Sequence, residues 1–237
     1  MIPYDLVIPS ASRPHLLVRT IGSLLVHVNQ SPHRLIVHND ERFPDRAEET
    51  ERIVRNLADV HERTGLGIVP VVYGNSPSPI GHGPALHWLL DHAETPYVLY
   101  SQDDHEVICD LPVTQAIALM DAYGLNQIRF NKRATMEWKG DYHKLQVEFD
   151  GRALCVADHW YFQTGLWRVS VIKPIVDWWM HESPEGFREH AEVKVNTVLN
   201  GQVPACPLRG QVPMIHVGYA WNDPHTRHVQ LGTYIWG

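Results

Sequence analysis

The chain has 237 residues, 44% of them hydrophobic, and a formal net charge of -7 from 27 acidic and 20 basic side chains. That apolar content sustains one substantial core, and the negative balance argues against indiscriminate binding to polyanions. Three isolated cysteines, Cys109, Cys155 and Cys206, outline neither a disulfide framework nor a zinc site. No signal peptide is read at the N-terminus and no apolar window is long enough to span a bilayer, so a reducing cytoplasm is the expected setting.

The first strand candidate, Tyr4 to Ile8, breaks at Pro9-Ser10-Ala11-Ser12-Arg13-Pro14. A helix follows with Ser12 near its N-cap, Pro14 in its first turn, and Leu17, Ile21, Leu24 and Val28 along one face. The loop between them offers backbone N–H groups and one arginine at a helix N-terminus, which suits a phosphate or a nucleotide. A second strand, Leu35 to His38, stops at Asn39-Asp40-Glu41 and places a carboxylate at the same sheet edge. A third, Ile68 to Tyr73, runs into the Gly- and Pro-rich segment from Gly74 to Gly83, read as a mobile binding loop.

Next, Leu86, Leu89, Leu90 and Ala93 recur at helical spacing, Pro96 stops the helix, and Tyr97 to Tyr100 form an apolar strand that ends on Asp103 and Asp104. Adjacent carboxylates repel, so at the carboxyl end of a central strand a cation is the usual reason to tolerate them. A solvated acidic turn is the alternative. From Asn126 to Leu145, Arg129, Lys132, Arg133, Lys139 and Lys144 are interleaved with Trp138, Tyr142 and His143. Such a segment either grips a nucleic-acid backbone and stacks on a base or forms a solvated hairpin over donor phosphates.

The aromatic run from Asp158 to Arg168 could present rings to a sugar or base, or Trp160 and Trp167 could fill core. A helix from Ser170 to Trp179 carries Val171, Ile175 and Trp178 as a packing stripe. Glu189 and Glu192, three residues apart, share one face of the next expected helix. The segment Val212 to Tyr219 reads as a strand delivering His216 to a Gly-containing turn, where the imidazole is either a satisfied core or surface group or a Mn²⁺ ligand.

The order IPSASRP, helix, LIVHND, helix, strand, GHGPALHWLLDHAETPYVLYSQDDHEV resembles the nucleotide-binding half of GT-A glycosyltransferases. The resemblance implies a single α/β domain over 1–237, Rossmann-like, with a central, mostly parallel sheet flanked by helices. Residues 1–107 would form the nucleotide-sugar-binding half, and residues 108–237 the acceptor-binding and catalytic half. Carried over by residue, Pro9, Ser10 and Arg13 fall in the first nucleoside-binding loop and Asp40 is the base- or ribose-binding acid. Asp103 fits the middle of the acidic motif and Asp104 is the ligand of a Mn²⁺ or Mg²⁺ ion bridging the donor diphosphate.

Gln102 departs from the family, standing where many members have the first Asp of Asp-x-Asp; an amide still hydrogen-bonds ribose. The late acidic helix of inverting members, many of which carry Glu-Asp, maps its base onto Glu192 or His190, with Glu189 alongside. His216 matches the C-terminal histidine that members often return to the metal.

The short chain and the Pro-Ser-x-x-Arg-Pro opening are also similar to phage-type glycosyltransferases associated with TET-like oxygenases, which implies a hydroxymethylated base in DNA as acceptor. The other acceptor class is a glycan or polysaccharide precursor. Gln102 and the missing Glu-Asp pair leave open a degenerate, non-catalytic nucleotide or carbohydrate binder. A nucleotidyltransferase lacks its expected Gly-rich loop after Ile8.

Overall fold

The structure is a computed structural model that describes residues 2–40, 44–64, 70–76, 80–107, 110–130, 147–149, 152–154, 160, 162–182, 205–207 and 214–216. The basic segment beyond Phe130, His190 and the candidate bases Glu189 and Glu192 lie outside these residues. Among the described residues no helix is long and apolar enough to cross a membrane.

The chain begins by alternating strand and helix. β1 (Tyr4–Ser10), α1 (Pro14–His27), β2 (Leu35–Asp40), α2 (Pro44–Thr64), β3 (Val71–Ser76), α3 (His82–Asp91) and β4 (Tyr97–Tyr100) follow in order, and β4, β1, β2 and β3 pair in parallel. Right-handed crossovers through helices are what parallel neighbours require. After β5 (His105–Val107) and α4 (Val113–Tyr123), the sheet is extended by β6 (Gln127–Arg129) and β9 (Gly165–Arg168). β9 runs antiparallel to both β4 and β6, so it is the strand that makes the sheet mixed. β10 (Ala205–Pro207) completes a seven-stranded sheet of order β10-β6-β9-β4-β1-β2-β3 among the described residues. A small hairpin, β7 (Val147–Phe149) with β8 (Arg152–Leu154), stands apart from it, and β11 (Met214–His216) pairs antiparallel with β5.

The period-2 alternation of β1 divides the core into two layers. Tyr4, Leu6 and Ile8 pack with Leu17, Ile21 and Leu24 of α1 and with Ile117 and Met120 of α4. Val7, on the opposite face, joins Leu86, Leu89 and Leu90 of α3 and Ile172, Val176 and Trp179 of α5 (Val169–Glu182). In α5 the buried stripe is Ile172, Ile175, Val176 and Trp179, one step round from the expected Val171, Ile175 and Trp178; Trp178 is exposed. Gly83 accounts for the difference, because a Cβ there would lie 2.7 Å from the Trp179 ring. The indole occupies the room that the missing side chain leaves on α3.

Trp160 and Trp167 are both buried, with Trp167 stacked on Tyr100 at 4.1 Å between centroids. Of the two roles open to them, they fill core. Arg129 is buried too, at the end of β6 and opposite Gly165, which removes it from any exposed basic strip. Gly165 itself is demanded by close approach: a Cβ there would sit 2.5 Å from the Ile128 carbonyl oxygen.

Candidate functional site

The carboxyl ends of β1, β2 and β4 meet at one edge, the edge where open α/β sheets bind ligands. β1 ends on Ser10, and the chain then turns through Ser12, whose φ of 54° is left-handed, unusual for a residue with a side chain. Asn39 holds this conformation: its Oδ1 accepts the Ser12 N–H at 2.9 Å, and its amide nitrogen donates to Asn75 of β3 at 2.7 Å. The turn delivers Arg13, N-cap residue of α1, over the end of β4.

There the two carboxylates are sorted by their neighbours. Asp103 is 1% exposed, and its Oδ2 accepts from Ser10 Oγ at 3.0 Å, Ala11 N–H at 3.1 Å and Arg13 Nε at 3.2 Å. A second arginine nitrogen, Nη2, bonds Oδ1 of the same carboxylate, a bidentate fork. Thr20 Oγ1 of α1 donates to the Asp103 carbonyl at 3.0 Å. Asp103 is thereby locked to the first loop.

Asp104 is held on one side only by that fork, Oδ2 receiving Arg13 Nη1 at 3.3 Å while Oδ1 lies 4.0 Å from His105 Nε2. Burial lowers the Arg13 pKa, but the two neighbouring carboxylates and their hydrogen bonds outweigh it and raise the guanidinium further above its usual value. Arg13 is a permanent cation facing two carboxylates, so the cluster of these three side chains carries one surplus negative charge in a site that is nine-tenths buried. A hard or borderline divalent cation on the Asp104 carboxylate is the charge complement of that set.

The remaining sequence candidates fall around this centre. Pro9 and Ser10 close β1 beside Asp103. Asp40 ends β2 and spends both carboxylate oxygens on the loop before α3, accepting the Ile80 N–H at 2.7 Å and the Gly81 N–H at 3.0 Å. Gln102 is partly exposed and donates through its amide to the Phe162 carbonyl at 3.0 Å, tying the acid motif to the chain entering β9. His216 stands opposite His105 in the β5–β11 ladder, which brings its backbone to the residue after Asp104.

Three residues that sequence reasoning passed over complete the floor. Ser101, Thr164 and His105 are all fully buried, with Thr164 Oγ1 at 2.7 Å from both Ser101 Oγ and His105 Nδ1. The DDH triplet was the available signal for His105; nothing local marks Thr164.

A second acidic group lies across α3 and α5, where His87, Asp91 and Asp177 bring ligand atoms within 4.8 Å of one another. Lys173 already salt-bridges Asp91 and sits 3.7 Å from Asp177. The resident ammonium makes this a helix-to-helix ion-pair cluster.

At the level of sequence, no protein-family model and no curated protein matches the chain. Solved structures match it through their fold. S. aureus TarS 1–349 in complex with UDP aligns with a TM-score of 0.59 at 13% identity, over 90% of this chain and 60% of that one. The same protein in complex with UDP-GlcNAc aligns with a TM-score of 0.58 at 13% identity, over 94% of this chain and 62% of that one. The mannosyltransferase PcManGT from Pyrobaculum calidifontis, in complex with GDP-Man and Mn²⁺, gives 0.63 at 12% identity, over 97% of this chain and 60% of that one. The chain thus spans about three fifths of the length of the structures it matches. The fold is α/β and GT-A-like, as the order of its strands and acids implied.

Proposed function

We propose that the chain transfers a sugar from a nucleotide-sugar donor, a UDP-sugar first among candidates, to an acceptor hydroxyl with the help of a divalent cation. The observation that carries this reading is the buried Asp103–Asp104 pair at the end of β4, with one more negative charge than Arg13 neutralises. Its support is the company that this fold keeps, since the matched structures hold UDP, UDP-GlcNAc and GDP-Man with Mn²⁺.

In this reading Asp104, with His216 brought alongside by the β5–β11 ladder, holds the cation. When bound, Mn²⁺ or Mg²⁺ supplies positive charge to the departing diphosphate. Asp103 keeps Arg13 aimed at the same place, so the guanidinium adds a second positive charge fixed before the donor arrives. Asp40 shapes the loop from Ile80 and Gly81 into α3, the wall against which the nucleoside would lie, and Gln102 faces the ribose. Glu192 takes the proton from the acceptor hydroxyl, with Glu189 or His190 as the neighbouring alternatives.

Two acceptor classes are carried forward. Hydroxymethylcytosine in DNA suits Lys132, Arg133, Lys139 and Lys144 with their interleaved aromatics, and the base would be flipped out of its duplex. A glycan precursor suits the acidic balance of the whole chain. The test is incubation with a panel of UDP- and GDP-sugars and Mn²⁺, with mass spectrometry of hydroxymethylated DNA, unmodified DNA and oligosaccharide acceptors. A hexose- or pentose-sized mass gain on one acceptor identifies it. Failure of every donor to be consumed, or to protect against thermal unfolding, overturns the glycosyltransferase reading.

A further inference from the structure

We propose that His105 is a nitrogen ligand of the divalent cation, turned to it by a hydrogen-bond relay through Thr164 and Ser101, and that it gives the site a preference for Mn²⁺ over Mg²⁺. This inference rests on the donor-site reading above and adds to it a residue and a metal preference that the GT-A resemblance does not supply.

The relay has a direction that can be read from its far end. A carbonyl only accepts, so Ser101 Oγ–H donates to the Gln102 carbonyl at 3.3 Å. With its one proton spent, Ser101 Oγ accepts from Thr164, 2.7 Å away, and Thr164 Oγ1 in turn accepts from His105 Nδ1 at 2.7 Å. The neutral imidazole therefore carries its proton on Nδ1 and its lone pair on Nε2. Nε2 is the nitrogen that faces Asp104 Oδ1 at 4.0 Å, the carboxylate oxygen on the side away from Arg13.

A lone pair and an anionic oxygen facing each other across that gap repel, and a cation between them reverses the sign. Two ligand atoms bound to one ion at about 2.0–2.2 Å are separated by somewhat less than the observed gap, so a small closing movement suffices. An imidazole whose other nitrogen donates to a fixed oxygen is the arrangement that orients metal-binding histidines. Mg²⁺ prefers an all-oxygen octahedron, whereas Mn²⁺ accepts imidazole nitrogen more readily. The nitrogen thus sets the metal preference. Ser101, Thr164 and His105 are each fully buried, so the relay is held by core packing and does not reorganise on binding.

The experiment counts free Mn²⁺ by electron paramagnetic resonance in titrations of the whole chain with UDP present, with Mg²⁺ as competitor. It adds electron spin-echo detection of ¹⁴N bound to the ion. Wild type should show directly bound ¹⁴N and hold Mn²⁺ more tightly than Mg²⁺ by roughly tenfold or more. Thr164→Val, which keeps shape and deletes the relay, should weaken Mn²⁺ binding by about 10–100-fold with Mg²⁺ binding nearly unchanged, and Thr164→Ser should restore it. His105→Asn should remove one ¹⁴N contribution, and the signal that persists in His216→Ala should be the His105 nitrogen.

Unaltered Mn²⁺ affinity in Thr164→Val, or ¹⁴N modulation that vanishes with His216→Ala alone, overturns the inference. If His105→Asn does not fold, the Thr164 pair and the wild-type ¹⁴N signal decide it. Mn²⁺ binding lost in Asp104→Asn but intact in His105→Asn rejects the imidazole ligand and spares the donor site. Binding indifferent to both changes rejects the donor site itself.

Discussion

Arg13 is the side chain whose removal most sharply separates a cation site from an ordinary salt bridge. It lies between carboxylates that are 1% and 6% exposed, and three of its nitrogens reach them. Arg13→Met keeps most of the apolar stem and deletes the charge. Asp103 retains Ser10 Oγ and the Ala11 N–H, but the pair is left with two buried negative charges facing each other. Breaking a buried ion pair by removing one partner costs about 3–5 kcal/mol. For a chain of this size each kcal/mol moves the midpoint by roughly 2–4 °C, so the variant should melt about 6–20 °C lower.

A divalent cation should then recover much of the loss, since ligand at 100 times its Kd contributes about 2.7 kcal/mol to a state that binds it. The assay is thermal unfolding of wild type and variant in chelator and in Mn²⁺. The expected signature is a larger Mn²⁺-induced rise in the variant than in wild type. A variant that melts with wild type in chelator, or one that Mn²⁺ stabilises less than wild type, would show that Arg13 is not the counter-ion of a cation site.

Asp40→Asn should cost about 1–3 kcal/mol, because one of the two amides at Ile80 and Gly81 loses its acceptor; faster amide exchange confined to the start of α3 is the readout, and unaltered protection there refutes it. Gly165→Ala should destabilise by about 1–3 kcal/mol in urea titration, since its methyl would meet the Ile128 carbonyl across the β6–β9 pair; wild-type stability would mean that the two strands separate at no cost. Burial lowers the pKa of His38, so the unfolded chain binds its proton more readily than the folded one. The stability His38 contributes is complete above its ordinary value near 6.5 and is lost as pH falls below that toward the folded pKa. A His38→Asn variant should show a flatter midpoint-against-pH curve in that window, and an identical slope contradicts the assignment.

The parts of the fold that sequence made legible are those with local punctuation. Tyr97 to Tyr100 is a short apolar run between Pro96 and a polar, acidic stretch, and it is a central strand because no helix of that length survives a proline on one side and carboxylates on the other. Leu17, Ile21 and Leu24 lie on the buried face of α1 as their spacing predicts. What stayed illegible depends on distant contacts. The stripe of α5 has two nearly equal apolar choices, and Gly83 on another helix selects between them.

Asp40 was recognisable as an acid at the right edge, but its two backbone amides lie about forty residues on, beyond any local pattern. Likewise Thr164 meets His105 only because β9 inserts antiparallel beside β4, a strand order that periodicity does not encode. Arg129 read as part of an exposed basic strip from its neighbours in sequence, yet β6 carries it into the sheet.

The central claim is that Asp103 and Asp104 form a cation-dependent nucleotide-sugar site. Calorimetric titration of UDP and UDP-sugars into wild type and Asp104→Asn, each in Mn²⁺ and in chelator, tests it most directly. Wild type should bind in Mn²⁺ and lose most of that affinity in chelator, while Asp104→Asn should show the weak, cation-independent binding in both. Equal affinity in all four conditions, or tight binding by Asp104→Asn in Mn²⁺, would contradict the claim.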